Sequence, residues 1–149
     1  MGTIENNIIS GVAFHPLKII DTPGGDVMHC LKSIDQGFVS FGEAYFSKIN
    51  KGFIKGWKRH LKMTLNLTVI AGAIKIVIFD DKKKSIGKDS FSSYVLGPNY
   101  KYGRLTISPG LWVAFMGLEK ENILINISDI IHDPLESEKK EVDSINFKW

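Results

Sequence analysis

The sequence predicts an all-β domain of the sandwich or jelly-roll kind, and three observations carry that expectation. Short apolar segments recur along the chain, at residues 8–20, 27–31, 44–49, 53–57, 63–70, 73–79, 104–107, 112–116 and 123–127. Turn chemistry separates them, in Thr22-Pro23-Gly24-Gly25-Asp26, Asn50-Lys51-Gly52, Gly97-Pro98-Asn99, Ser108-Pro109-Gly110 and Asp133-Pro134, because Pro presets φ and Gly supplies conformations closed to other residues. Where a segment is long enough to show a period, that period is two. Many short strands at this spacing close into packed antiparallel sheets. Residues 135–142 alone read as helical, a short turn near the C-terminus.

Taken in order, residues 8–14 are an apolar N-terminal strand, and the segments up to residue 57 are short strands between turns. From Met63 the apolar side chains fall on odd positions (Met63, Leu65, Leu67, Val69) and polar ones on even positions (Thr64, Asn66, Thr68), the alternation of a strand. Gly72 breaks the run, and Ile74, Ile76 and Ile78 open a second strand after a tight connection. Extending the phase backwards places Lys58, His60, Lys62, Thr64, Asn66 and Thr68 on one face. Trp57, Arg59, Leu61, Met63, Leu65 and Leu67 fall on the other. The polar face is either the wet side of a one-sided sheet or the lining of a polar cavity. Residues 55–62 gather Lys55, Lys58, Arg59, Lys62 and His60 within one short stretch. If they point into a barrel, the chain handles an anionic small molecule. The loop at 82–88 is a solvated turn or a phosphate grip, and the tail at 144–149 stays bulky and apolar to its last residue, which predicts docking on the barrel or on a partner subunit.

Composition narrows the function classes. With 149 residues and 44% of them hydrophobic, the chain fits one domain, residues 1–149, with a real core. A formal charge of +3 falls short of a dedicated nucleic-acid binder, and alternation splits the cations between two faces instead of gathering them with aromatics in one patch. Cys30 is the single cysteine, so an internal disulfide and a thiolate zinc cluster are excluded. No secretory signal pattern and no apolar run of membrane length is present, which predicts a soluble, cytoplasmic protein with no membrane partner.

Over almost its whole length the chain carries a further pattern. Pro16-Leu17-Lys18, the run 23–29, Phe41-Gly42-Glu43-Ala44-Tyr45-Phe46-Ser47, Ile54-Lys55-Gly56-Trp57-Lys58-Arg59-His60, the run 99–112 and Ile131-His132-Asp133-Pro134 occur in shared order and spacing. In these the sequence resembles a branch of the dTDP-4-dehydrorhamnose 3,5-epimerase family, sugar-nucleotide enzymes with the cupin jelly-roll barrel. The resemblance implies that fold, and a nucleotide-diphosphate sugar, dTDP-linked and of the 4-keto-6-deoxy type, as substrate. It implies a homodimer, with the strand at 8–14 covering a neighbour's sheet edge, and a role in polysaccharide precursor synthesis.

The family's arginine-glycine-hydrophobic-histidine motif corresponds to Lys55-Gly56-Trp57-Lys58, so Lys58 stands at the base position. Asp143 matches the aspartate that orients the base, His132 stands for the opposite-face tyrosine, and Val113 occupies a position where many relatives carry histidine. The metal-binding cupin pattern reads Lys58-Arg59-His60 with Thr64 at the glutamate position, which implies a site without metal or other cofactor.

A ketone acidifies the neighbouring C–H bonds, and a base that removes such a proton creates an enolate needing positive charge nearby. The expected catalytic set is Lys58 and His60 as base and enolate-stabilising pair, His132 as acid or proton shuttle, and Asp143 as orienter. The alternative is that Lys58 only neutralises the pyrophosphate and His60 is a satisfied interior histidine. Lys55, Lys62 and Lys82 are the expected phosphate contacts. Trp57 and Trp112 are candidate planar faces for base or sugar, as are Tyr45 and Phe115, and Asn66 is a polar contact on the Lys58 face. His15 and His29 read as surface or hydrogen-bonded histidines. Two rival functions remain at this point, a ketoisomerase on the same substrate class and a non-catalytic nucleotide-sugar-binding cupin.

Overall fold

The computed structural model describes residues 9–83 and 85–149. Twelve strands form, and three short 3-10 turns are the helical content of the described residues. In chain order the strands are β1 (Val12–Pro16), β2 (Ile19–Ile20), β3 (Val27–Met28), β4 (Glu43–Lys48), β5 (Ile54–His60) and β6 (Leu65–Ala71). After them come β7 (Ile74–Phe79), β8 (Phe91–Leu96), β9 (Gly103–Ile107), β10 (Trp112–Gly117), β11 (Ile123–Ser128) and β12 (Ser137–Lys140). One five-stranded sheet runs β1-β9-β6-β11-β4, and a second runs β12-β5-β10-β7-β8. All their strand pairs are antiparallel, and β2 with β3 makes a small separate ribbon.

The sheets face one another across an aliphatic core. Leu65, Leu67 and Val69 of β6, Leu105 and Ile107 of β9 and Leu124 of β11 meet Ile74, Ile76 and Ile78 of β7, Leu96 of β8 and Val113 of β10. Each such side chain stabilises the fold by roughly 1.5–3 kcal/mol on burial. This two-sheet closure is the predicted jelly roll. Gly72, at φ +71, makes the tight β6–β7 connection, where a Cβ would collide with the Glu121 carbonyl oxygen.

The second sheet carries a second apolar cluster on its outer face. Trp57, Val77, Phe79, Trp112 and Ala114 point outward, and the tail covers them with Ile145, Phe147 and Trp149. The bulky tail therefore docks on its own barrel. Trp149 lies 6.1 Å from Trp57, and Phe147 lies 5.2 Å from Phe91.

Two local expectations are corrected. Residues 57–69 are not one strand: β5 ends at His60, the chain turns a corner through residues 61–64, and β6 continues in the opposite sheet. The corner is held by the Leu61 amide donating to the Glu136 carbonyl at 2.7 Å and the Thr64 amide donating to Asp129 Oδ1 at 2.7 Å. From Trp57 to His60 in β5, and in β6, alternation persists, but His60 and Leu65 both point inward, so parity switches across the corner. The predicted helix at 135–142 is a 3-10 turn, Pro134–Glu136, followed by β12. Asp133 caps the turn by accepting from the Leu135 amide, and the open edge of β5 then captures residues 137–140 as a strand, a tertiary pairing that overrides local preference. The predicted N-terminal strand begins in part outside the described residues, at Ile8. Of its described portion, residues 12–14 fall in β1, paired with β9 of the same chain, and residues 9–11 form a turn before it.

Candidate active site

A narrow cleft opens between the two sheets. Tyr45 and Ser47 of β4, with Leu124 and Asn126 of β11, form one wall; Lys55, Lys58 and His60 of β5 form the wall opposite, with Val113 and Phe115 beside them on β10. Leu65 and Leu67 contribute to the apolar lining.

β5 reaches this arrangement through an irregularity. Lys58 pairs with Val113 and Lys55 pairs with Phe115, so three steps along β5 match two along β10. In a regular strand, residues three apart face opposite sides. The bulge around Gly56 and Trp57 brings Lys55 and Lys58 onto the same wall while Trp57 stays outside. Gly56 leaves room for β12 here, since a Cβ would come within 3.2 Å of the Lys140 carbonyl oxygen.

His60 is 6% exposed, and its Nδ1 is bonded to Oε1 of Glu136, itself 4% exposed. The other oxygen of Glu136 accepts the amides of Lys62 at 3.1 Å and Met63 at 3.2 Å. Burial opposes ionisation of this carboxyl, but the His60 hydrogen bond and the two amides outweigh it and hold its pKa below the ordinary value. Glu136 is thus a fixed anion that orients the imidazole and leaves Nε2 without a protein partner among the described residues. Lys58 is half-buried, and its pKa is pushed below the ordinary lysine value, first by burial and then by the Lys139 ammonium, with Glu136 acting the other way. On the facing wall the Asn126 amide nitrogen donates to the Tyr45 hydroxyl at 2.7 Å, while the buried amide oxygen has no partner. Such an orphaned acceptor is satisfied by a ligand or by water.

Of the residues expected from the sequence, Lys55, Lys58 and His60 meet in the cleft, with Tyr45 and Phe115 beside them. The others do not line it. Trp57 and Trp112 are buried on the far side of the second sheet, their indole nitrogens donating to the Val142 carbonyl at 3.2 Å and to Asp81 Oδ2 at 3.1 Å. They alternate with the cleft-facing residues, so the sheet screens them from a ligand. Asn66 lies beyond the corner on the outer side of the first sheet, where it accepts from Arg104 Nε at 3.0 Å and Thr106 Oγ1 at 2.6 Å and donates to the Gly37 carbonyl at 3.0 Å. Lys62 is exposed on the corner, and Lys82 is exposed in the loop after β7.

His132 is exposed, with its amide donating to Glu43 Oε1. Asp143 is exposed in the turn Val142–Ser144, and Glu136 is the carboxylate bonded to His60. His29 is half-buried, and its carbonyl accepts from the Tyr102 hydroxyl; the buried Nε2 of His15 has no partner, unlike the expected hydrogen-bonded ring. Burial and the nearby Arg104 lower the His15 pKa. Among the described residues no three His, Cys, Asp or Glu side chains converge as metal ligands. Sequence reading missed Glu136 and Asn126. Glu136 stands after Asp133-Pro134 with no spacing signal toward His60, and Asn126 alternates in β11 like any strand residue.

No protein-family model matches the chain, and no curated protein matches it. Solved structures do match. A dTDP sugar isomerase from Desulfovibrio desulfuricans G20 is 34% identical, over 95% of this chain and 92% of that one, with a TM-score of 0.87. A dTDP-4-dehydrorhamnose 3,5-epimerase from Sulfolobus tokodaii shares the fold at 20% identity, covering 95% and 83% of the two chains, with a TM-score of 0.80. A sugar 3,4-ketoisomerase from Thermoanaerobacterium thermosaccharolyticum, solved in complex with TDP, shares it at 18% identity, covering 92% and 96%, with a TM-score of 0.74.

Proposed function

The chain belongs to the family of dTDP-sugar isomerases and epimerases with the cupin jelly-roll fold, and from that premise we propose that it epimerises a dTDP-linked 4-keto-6-deoxy sugar by removing a proton next to the ketone. The observation that carries this reading is the buried His60–Glu136 pair, whose free Nε2 looks onto a cleft with a hydroxyl on its other wall.

His60 takes the proton through Nε2, and Glu136 holds the imidazole in the required tautomer and balances the charge the ring acquires. The negative charge that develops on the sugar oxygen is met by the Lys58 side of the cleft. Inversion needs a proton delivered from the opposite face. Tyr45 is the donor on that wall, in place of the exposed His132, and the Asn126 amide keeps its hydroxyl in position. Lys55 at the rim attracts the diphosphate. A ketone shift needs one base to carry a proton between adjacent carbons on one face; the hydroxyl on the facing wall favours inversion instead.

Assembly as a homodimer, a cytoplasmic setting and a place in polysaccharide precursor synthesis belong to the same proposal. The unpaired edge of β4, with Phe46 exposed on it, supports the first, and the free Cys30 supports the second. Among the described residues no helix is long and apolar enough to cross a membrane.

The test is solvent-deuterium uptake into dTDP-4-keto-6-deoxyglucose with the product identified by NMR. The wild type is expected to exchange the proton next to the ketone and return an inverted centre. His60→Asn should lose about 10²–10⁴-fold in rate. A product whose ketone has moved would establish the isomerase reading, and tight dTDP binding without exchange would establish a binding protein.

A further inference from the structure

Lys58 is placed unlike an ordinary phosphate-binding lysine. It stands half-buried on the wall it shares with Lys55 and His60, with Val113 beside it on β10. Its partner directly across the β5–β12 ladder is Lys139, so two ammonium groups share one face. Among the described residues no carboxylate pairs with Lys58: the acid nearest in effect, Glu136, is already engaged by His60 and two amides. A desolvated lysine next to a second cation is the environment that makes an amine nucleophilic near neutral pH. Lys55, brought onto the same wall by the bulge, can hold an anionic group and leave the Lys58 amine free for another task. His60 lies two residues along the strand on the same face, about 6.6 Å away by strand rise. A base that close can reach the carbon next to any carbonyl bonded to Lys58.

We propose that Lys58 forms a Schiff base with the ketone of the substrate, so that the proton is removed from an iminium rather than from the free ketone. This rests on the epimerase reading of the cleft. The neutral Nζ adds to the carbonyl carbon, the carbonyl π pair moves to oxygen, and one proton passes from the nitrogen to that oxygen to give a neutral carbinolamine. Protonation of that hydroxyl releases water and leaves the C=N⁺ iminium. His60 Nε2 then takes the neighbouring carbon-bound proton, and the C–H pair becomes the double bond of a neutral enamine. Tyr45 returns a proton to the same carbon from the opposite wall. Water adds to the regenerated iminium, the amine departs and the ketone is restored, with no oxidant or reductant consumed. The lowered pKa of Lys58 agrees with the first step.

The pathway also selects the outcome. Protonation at the original carbon gives an epimer that water releases. A ketone shift would require protonation of the nitrogen-bearing carbon, which leaves a C–N single bond that water cannot cleave. A Schiff base at Lys58 therefore accompanies inversion and excludes turnover as a ketoisomerase.

The experiment combines trapping with exchange on the full-length protein. Incubation with dTDP-4-keto-6-deoxyglucose and cyanoborohydride should give a covalent adduct of the sugar nucleotide less water plus two hydrogens, mapped by peptide mass to Lys58, with progressive loss of activity. Lys58→Arg keeps the charge but cannot form the imine, and should lose deuterium exchange by about a hundredfold or more while still binding dTDP. Lys139→Ala should raise the Lys58 pKa and move the acidic limb of the rate profile to higher pH, an effect that a purely structural lysine would not produce. Wild-type exchange without adduct, together with an active Lys58→Arg enzyme, would overturn the Schiff base and leave the epimerase reading standing. Absence of exchange by the wild type with dTDP-4-keto-6-deoxyglucose would overturn both.

Discussion

Glu136 serves several neighbours at once, bonding the His60 ring with one oxygen and two corner amides with the other. A buried carboxylate with that many donors belongs to the fold as much as to the chemistry. Its folded pKa is depressed, so its stabilisation is fully present above the ordinary carboxylate range and is lost as pH falls through the folded value. Glu136→Gln should cost about 1–3 kcal/mol at neutral pH, because the amide cannot serve all three donors. Urea denaturation from neutrality toward acid should show this difference shrinking as the wild type loses the ionised form. The variant should also slow deuterium exchange, since the imidazole loses its charge partner.

Among the elements, β5 carries opposite duties on its two faces. Trp57 faces the tail while Lys58 and His60 face the cleft, so fastening of the outer face also holds the inner one. The tail packs Ile145 into the outer cluster, and β12 between the tail and Glu136 pairs with β5 alone. Ile145→Ala should cost about 2–5 kcal/mol in urea denaturation, the range for truncating a buried aliphatic side chain. A loss well under that range would mean the tail rests on the barrel without sealing it. The polar clasp on the other sheet works differently. Arg104, buried, donates to the Cys30 carbonyl at 2.9 Å and the Gln36 carbonyl at 2.7 Å, pinning the long excursion between β3 and β4.

At the scale of the whole molecule, the first sheet ends at β4, whose outward Phe46 is 65% exposed. Edges of this kind attract another strand unless something covers them. A second copy of the chain is the proposed cover. Light scattering should give a dimer, and Phe46→Lys should shift it toward monomer without abolishing the folded signal in circular dichroism. The cationic wall has a further consequence at this scale. Lys55 and Lys58 line one side of the cleft and Lys139 is the ladder partner of Lys58, so dTDP binding should weaken as ionic strength rises, in keeping with screening over about 8–10 Å.

The all-β class, most strand positions, the docked tail and the shared face of Lys58 and His60 were legible in the chain, because alternation and turn residues are local and report each strand directly; Lys55 joins that face only through the bulge in β5. Glu136, the outward turn of Trp57 and Trp112, and the loss of Asn66 and Lys62 from the cleft were decided only when the sheets closed. A period of two tells which residues share a face within one strand, but it does not survive a corner, and it never says which face looks inward. Partners that meet across a ladder, as Lys58 meets Lys139, are neighbours in space without any spacing in the chain to announce them.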